Sequence, residues 1–374
     1  MNFDLNEDQN IIKEAAQKFL SKECDSEFVR AMVEDEKGYT PELWQGMAEL
    51  GWMGLLVPEE YGGFGGNFVD LMVLLGEMGY SALPGPFFST VILGGLPLQE
   101  AGSDAQKADI LPGLASGERI MTLAWIEEDG LFTPDAVKLS AAPKGEGYVL
   151  SGTKLFVHDA NVADTIICVA RTGEGETDLS LFIVDAMSTG IKITPLITTA
   201  GDKQCEVIFD QVTVPKSNII GELNQGWPIL KRVQRMAAVA KCAEMMGGAR
   251  KAFELVLPWT KERVQFERPI GSFQAVQHHC ANIVTYMDTL TYMTYKASWL
   301  IAAGKPFEKE ASMCKAYVSD SYRKLVALCH QVLGGVGFME EHDLGLYFKR
   351  AKAAELFFGD ADFHREMVAQ AMDL

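Results

Sequence analysis

The sequence predicts an α+β protein of three parts: an N-terminal helical domain over residues 1–118, a middle β-barrel-like domain over 119–226 and a C-terminal four-helix bundle over 227–374. Two observations lead there. The hydrophobic period is helical in the first third, changes to short β-branched runs between Ile120 and Glu222, and turns helical again from Trp227 onward. The chain also has 374 residues and 48% hydrophobic content, enough for two or three cores.

Each element has its own signal. Asp4-Leu5-Asn6 precedes an amphipathic run that puts Ile11, Ile12, Ala15, Phe19 and Leu20 on one face. A second helix is expected over Pro41–Leu50, stopped by Gly51, and a third over Asn67–Tyr80. Strands are expected at Tyr148–Thr153, Thr165–Ala170, Leu179–Val184, Ile191–Leu196 and Glu206–Val214, where Gly, Asp and Pro punctuate β-branched runs. The last part reads as helices over Pro228–Lys261, Ser272–Ala303, Phe307–Leu333 and Tyr347–Phe357. Neither repeats nor a low-complexity linker interrupt this order, so the β-domain is inserted between helical parts.

Composition narrows the function classes. A net charge of −18 argues against nucleic acid or an anionic membrane as main partner, since both need basic surface. With charged residues at 22%, a largely disordered chain is excluded. Apolar runs fall short of the ~20 residues that span a bilayer, and MNFDLNEDQN is too acidic for a secretory signal. Seven dispersed cysteines read as reduced thiols, which makes a cytoplasmic location the expectation. His278-His279 has no second ligand cluster nearby, so no metal site is expected.

Four segments carry more. Leu50-Gly51-Trp52-Met53-Gly54-Leu55-Leu56-Val57-Pro58-Glu59-Glu60-Tyr61-Gly62-Gly63 is followed by a helix ending Gly76-Glu77-Met78-Gly79. Glycine turns explain its glycines but not the whole string. Gly152-Thr153-Lys154-Leu155-Phe156-Val157-His158-Asp159-Ala160 is followed by Ala163-Asp164. Lys261 to His278 reads KERVQFERPIGSFQAVQH, and Gln331 to Phe338 reads QVLGGVGF. Arg263 offers a bidentate donor for a diphosphate. The paired Gly334-Gly335 allow a backbone to approach a ligand closely.

In register, these segments resemble the acyl-CoA dehydrogenase family over nearly the whole chain. The resemblance implies FAD as cofactor. It makes Phe156 the aromatic that covers the flavin ring, and puts His158 where a Ser or Thr commonly sits near flavin N5. An imidazole there could hydrogen-bond a ring nitrogen, or be a plain surface histidine. It implies that Arg263, Gln265, Phe266 and Gln274 reach the FAD of a neighbouring subunit, and that Gln331, Gly334 and Gly335 approach the cofactor. Glu267 stands where the family has glycine. The implied assembly is a homotetramer or a hetero-oligomer with a related subunit.

The implied reaction oxidises an acyl-CoA thioester to its enoyl-CoA. A carboxylate takes the α-proton, flavin accepts the β-hydride, and electrons leave to an electron-transferring flavoprotein. Here the resemblance meets a gap. Its glutamate position falls on Phe358, the threonine two residues later on Asp360, and the alternative base position on Ala237. Asp360 is the first substitute base and otherwise reads as a turn aspartate; Asp362 is similar. Glu244, two helical turns past Ala237, is the second and otherwise reads as a partner for Lys241 or Arg250. Glu127-Glu128-Asp129 replaces the family's Gly/Ser-rich diphosphate loop and otherwise reads as a solvated acidic loop. Three functions follow: a dehydrogenase with a relocated base, a subunit whose partner supplies the base, or a flavoprotein-like scaffold without redox activity.

Overall fold

A computed structural model of the protein describes residues 3–374. The chain forms two compact units. The helical unit holds the chain up to Arg30, Asn67–Leu83 and Arg235–Leu374; the β-containing unit holds Ala31–Gly66 and Pro84–Gln234.

In the helical unit, α1 (Glu7–Glu23) starts at Asn6, whose side chain accepts from the Gln9 N–H at 2.8 Å while Gln9 Oε1 accepts from the Asn6 N–H at 3.1 Å. Its buried face matches the expected one in part: Leu20 is buried and Ile12, Ala15 and Phe19 are half-buried, but Ile11 is not. Gln9, Ala16 and Leu20 are buried, and Ile11 is 59% exposed. The cause is polar: Gln9 Nε2 donates to Asp70 Oδ1 of α4 (Phe68–Tyr80) at 2.9 Å, and Ile11, two residues on, points to the other side.

The helix α7 (Gly226–Glu262) continues into this unit and crosses α4 at backbone contact. A Cβ at Gly79 would lie 2.0 Å from the Glu244 carbonyl oxygen, and one at Gly247 would lie 1.8 Å from that of Gly76. After α7 comes a hairpin of β9 (Val264–Gln265) and β10 (Arg268–Pro269), followed by α8 (Gln274–Ala302) and α9 (Glu308–Leu333). The helices α10 (Leu344–Leu356) and α11 (Ala361–Gln370) both pack on α9. The bundle thus has a short fifth helix that its sequence pattern does not announce.

The β-containing unit opens with α2 (Ser26–Glu34), shared with the helical unit, and α3 (Pro41–Glu49), which has Thr40 as cap and proline in its first turn. A π-helical segment, Phe88–Gly95, leads into α5 (Leu96–Ala101) and α6 (Asp104–Ala115). The strands are β1 (Met121–Ala124), β2 (Ser140–Lys144), β3 (Gly147–His158), β4 (Thr165–Arg171), β5 (Leu179–Asp185), β6 (Ile191–Leu196), β7 (Gln204–Pro215) and β8 (Ile219–Ile220). They form one sheet in the order β6-β7-β3-β2-β4-β5-β8, with β1 parallel to β4. The sheet does not close, which corrects the barrel-like expectation. Its end strands β6 and β8 do not pair, and β8, with two residues, is too short to supply a closing ladder. Leu150, Cys168, Phe182, Phe209 and Val212 centre its core.

The strand β3 is irregular twice against β7, between Leu150 and Gly152 and between Lys154 and Val157. Gly152 has φ +146°, and Phe156 sits in the left-handed region at φ +55°. A bulge of this kind re-aims a side chain.

Candidate active-site residues

In the β-containing unit, the second irregularity turns Phe156 outward, 49% exposed. Its neighbour Lys154 is fully buried; Nζ donates to the Trp125 carbonyl at 3.0 Å and to Glu127 Oε1 at 2.7 Å. Burial pushes the Lys154 ammonium's pKa down against the pull of Glu127. Glu127 also accepts the backbone N–H groups of Lys138 and Leu139, each at 3.0 Å. The acidic loop is therefore only partly a solvated one. Glu128 and Asp129 are exposed, but Glu127 pins residues 125–139 onto β3. Trp125 Nε1, at the start of that loop, is buried without a hydrogen-bond partner. His158 ends β3, and its carbonyl accepts from Thr122 Oγ1 at 2.5 Å.

In the helical unit, the segment between α10 and α11 is a clamped turn. Phe358 is buried, 8% exposed, at φ +61°, and Gly359 follows at φ +104°. A Cβ at Gly359 would meet the Phe363 ring at 2.3 Å, so glycine is required there. The buried Lys315 of α9 donates to Gly359 O at 2.9 Å, Glu355 O at 3.0 Å and Ser319 Oγ at 2.9 Å. Burial lowers the Lys315 ammonium to about 8. His364 Nε2 lies 3.1 Å from Phe358 O, and burial, then the Lys315 charge, pushes its imidazole down to about 3. Its Nε2 therefore reads as a donor from a neutral ring.

Asp360 is exposed and caps α11, with Oδ1 accepting from the Phe363 N–H at 2.8 Å. Glu244 is ion-paired with Lys241 one turn back on α7, and Arg250 pairs instead with the buried Glu77 at 2.6 Å. Lys241 Nζ lies 5.5 Å from the Phe357 ring centroid, which puts Glu244's partner beside the turn. Ala237 is fully buried in α7.

Arg263, Gln265 and Phe266 lie on the exposed β9–β10 hairpin, and Gln274 opens α8 just after it. Phe266 and Glu267 are its two central residues, both with positive φ, which suits a two-residue loop but costs a non-glycine backbone. Phe266 is 88% exposed. Gln331, Gly334 and Gly335 form the exposed C-terminal end of α9, where a Cβ on either glycine would meet nothing within 4 Å. Packing within this chain does not explain those two glycines.

Sequence reasoning missed Lys154, Lys315 and His364. Lys315 had a signal: it sits in SMCKAYV at a helical position shared with core residues. His364 and Lys154 had none beyond long-range packing.

Three family sequence profiles match the chain: acyl-CoA dehydrogenase N-terminal domain over residues 6–118, middle domain over 122–212 and C-terminal domain over 224–372. Among curated relatives, the probable acyl-CoA dehydrogenase YngJ of Bacillus subtilis is 30% identical over 100% of both chains. The acryloyl-CoA reductase (NADH) of Anaerotignum propionicum is 29% identical over 99% of this chain and 95% of that one. Among solved structures, one from work on the electron transferring flavoprotein of Acidaminococcus fermentans has TM-score 0.92 and 27% identity, over 100% of this chain and 99% of that one. The Tcur3481-Tcur3483 steroid ACAD has TM-score 0.89 and 27% identity over 98% of each chain. The chain belongs to the acyl-CoA dehydrogenase family, oxidoreductases acting on CH–CH groups.

Proposed function

We propose that this protein is an FAD-dependent dehydrogenase that converts an acyl-CoA thioester to the α,β-enoyl-CoA, with Asp360 as its base and an electron-transferring flavoprotein as acceptor. The observation that carries the redox reading is Phe156: an exposed aromatic held at φ +55° by a bulge, a strained arrangement without a packing reason inside its own unit. The orphaned Trp125 N–H and the open Gly334-Gly335 pair also fit a bound cofactor with acceptor atoms.

FAD, when bound, supplies the hydride acceptor and the route for electrons onward. Phe156 would stack on it. Arg263 would donate to its diphosphate, while Gln265, Phe266 and Gln274 would hold the adenine end across a subunit boundary. Asp360 is favoured over Glu244 because Lys241 neutralises Glu244. The capping bond engages Asp360 Oδ1, which leaves Oδ2 to take the α-proton. The match to a chain from electron-transferring flavoprotein work supports that acceptor.

A second reading gives the base to a partner subunit. Phe358, buried in a clamped turn, favours it, as does likeness to an ACAD named for two chains.

Asp360→Asn separates the two. Asparagine caps as well as aspartate, so stability stays within about 1 kcal/mol, but it accepts no proton. Under the first reading, purified wild-type protein loses its flavin colour on anaerobic addition of an acyl-CoA, and D360N does so at least ~100-fold more slowly. Unchanged bleaching in D360N removes Asp360. Bleaching only after a related subunit is added establishes the second reading.

A further inference from the structure

We propose that Lys315 is a positioning residue for Asp360: its buried ammonium fixes the turn between α10 and α11, and so sets where the carboxylate stands. The inference rests on the reading of Asp360 as the base.

An ammonium carries three N–H donors and no acceptor. Lys315 makes three bonds, all inside the helical unit. One goes to Glu355 O, in the last turn of α10, at 3.0 Å. One goes to Gly359 O, on the peptide that leads into Asp360, at 2.9 Å. The third goes to Ser319 Oγ, one turn further along α9, at 2.9 Å. Ser319 is itself fully buried, so it holds the ammonium in its aim. One charged group thus ties the end of α10 and the entry to α11 to the helix both of them pack on. The bond from the Phe363 N–H fixes the Asp360 carboxylate relative to α11. It does not fix α11 relative to α10; Lys315 does, and His364 Nε2, 3.1 Å from Phe358 O, adds a hold from the α11 side.

The energetics argue against a plain core residue. Lysine is almost never fully buried without a paired charge, because its desolvation is costly. None of the three bonds of Lys315 goes to a carboxylate. Glu355, whose carbonyl accepts one of them, pairs its carboxylate with Lys352 at 3.1 Å and Arg323 at 3.4 Å instead. Methionine would fill similar space in α9 without that cost. What the ammonium adds is direction: two backbone oxygens of the turn held at fixed points. A base needs such holds, because it works only within hydrogen-bond reach of its proton. A misplacement of about 1 Å costs about 100-fold in rate.

Lys315→Met keeps the bulk and removes the donors. In the flavin-free protein, hydrogen exchange read by mass spectrometry is expected to run about tenfold faster over residues 355–364 in K315M, with the β-containing unit unchanged. In FAD-loaded protein, the limiting rate of anaerobic bleaching by an acyl-CoA is expected to fall at least ~10-fold. The half-saturating acyl-CoA concentration should stay within about threefold, which loss of binding would not allow. In a D360N background K315M should add no further loss, since Lys315 acts through Asp360. A K315M protein that bleaches at the wild-type rate, that exchanges as wild type over 355–364, or that slows D360N as much as wild type, overturns the proposal. Slow D360N beside fast K315M removes Lys315 alone. D360N at the wild-type rate, or bleaching only with a related subunit present, removes the base reading and this proposal with it. Should K315M not fold, Ser319→Ala decides in the same cycle: it withdraws one of the three holds and should slow bleaching about threefold, but not in D360N. A wild-type rate in S319A then overturns the proposal.

Discussion

His364 shows what one buried side chain imposes on the whole fold. Its imidazole is held neutral, with a folded pKa of about 3 against an unfolded value near 6.5. A group whose folded pKa is depressed gives stability that is present above its unfolded pKa and lost as pH falls toward the folded one. The protein is therefore expected to lose about 1.4 kcal/mol per pH unit below roughly 6.5 from this residue alone. Urea unfolding at pH 7 and pH 5 measures the loss, and His364→Gln should flatten it. A variant with the wild-type slope would assign the acid sensitivity elsewhere. None of this was legible beforehand. The sequence shows a histidine in a polar, charged stretch, DADFHRE, and only the turn of chain back onto α9 buries it beside Lys315. Phe358 is the opposite case. Its identity was plain in the sequence, but its left-handed conformation belongs to a turn that Lys315, far back on α9, holds through the Glu355 and Gly359 carbonyls.

At the scale of elements, amphipathic periods located α1, α8 and α9, which bury one face and expose another, whereas α4 is buried along nearly its whole length. The segment Phe88–Gly95 gave no such period. It is mostly apolar and buried along Ser89–Gly95, with Ser89 and Thr90 hydrogen-bonded inside, and it winds as a π-helix. Sheet closure was also beyond local reading, since alternation reports which face is buried and not whether two distant edges meet. The α4–α7 crossing was half legible: Gly79 and Gly247 were visible as glycines, but not as a backbone contact. That contact makes a direct prediction. Gly247→Ala places a methyl 1.8 Å from the Gly76 carbonyl oxygen, with backbone on both sides and no side chain free to yield. The helices must separate, and overpacking of this kind costs about 1–3 kcal/mol or more. Gly334→Ala is a contrast of a different type. It meets no atom within 4 Å but sits at φ +64°, ψ −142°, a conformation that favours glycine, so its cost is backbone strain of about 1–3 kcal/mol with no clash. Denaturant midpoints of the two variants measure these costs; a Gly247→Ala protein as stable as wild type would deny the close crossing.

At the scale of the whole molecule, several large apolar side chains are exposed. Val264 and Phe266 stand out on the β9–β10 hairpin, and Phe338 and Met339 stand out just past the end of α9. Large apolar side chains grouped this way mark contact surfaces more often than chance. The hairpin also spends backbone strain on two central residues with positive φ, which a loop of no further use would avoid by carrying glycine. Together with the family resemblance, this ties two properties to one residue. If Phe266 both joins subunits and helps hold the neighbour's FAD, the two must fail together. Phe266→Asp is expected to shift the mass seen by light scattering toward the protomer. It should also weaken FAD retention at least tenfold, by equilibrium dialysis, while circular dichroism stays unchanged because the residue is 88% exposed. Loss of flavin with the assembly intact would make Phe266 a cofactor contact within its own subunit. Loss of assembly with flavin retained would detach the hairpin from the cofactor. Only the joint loss supports an active unit built from more than one chain.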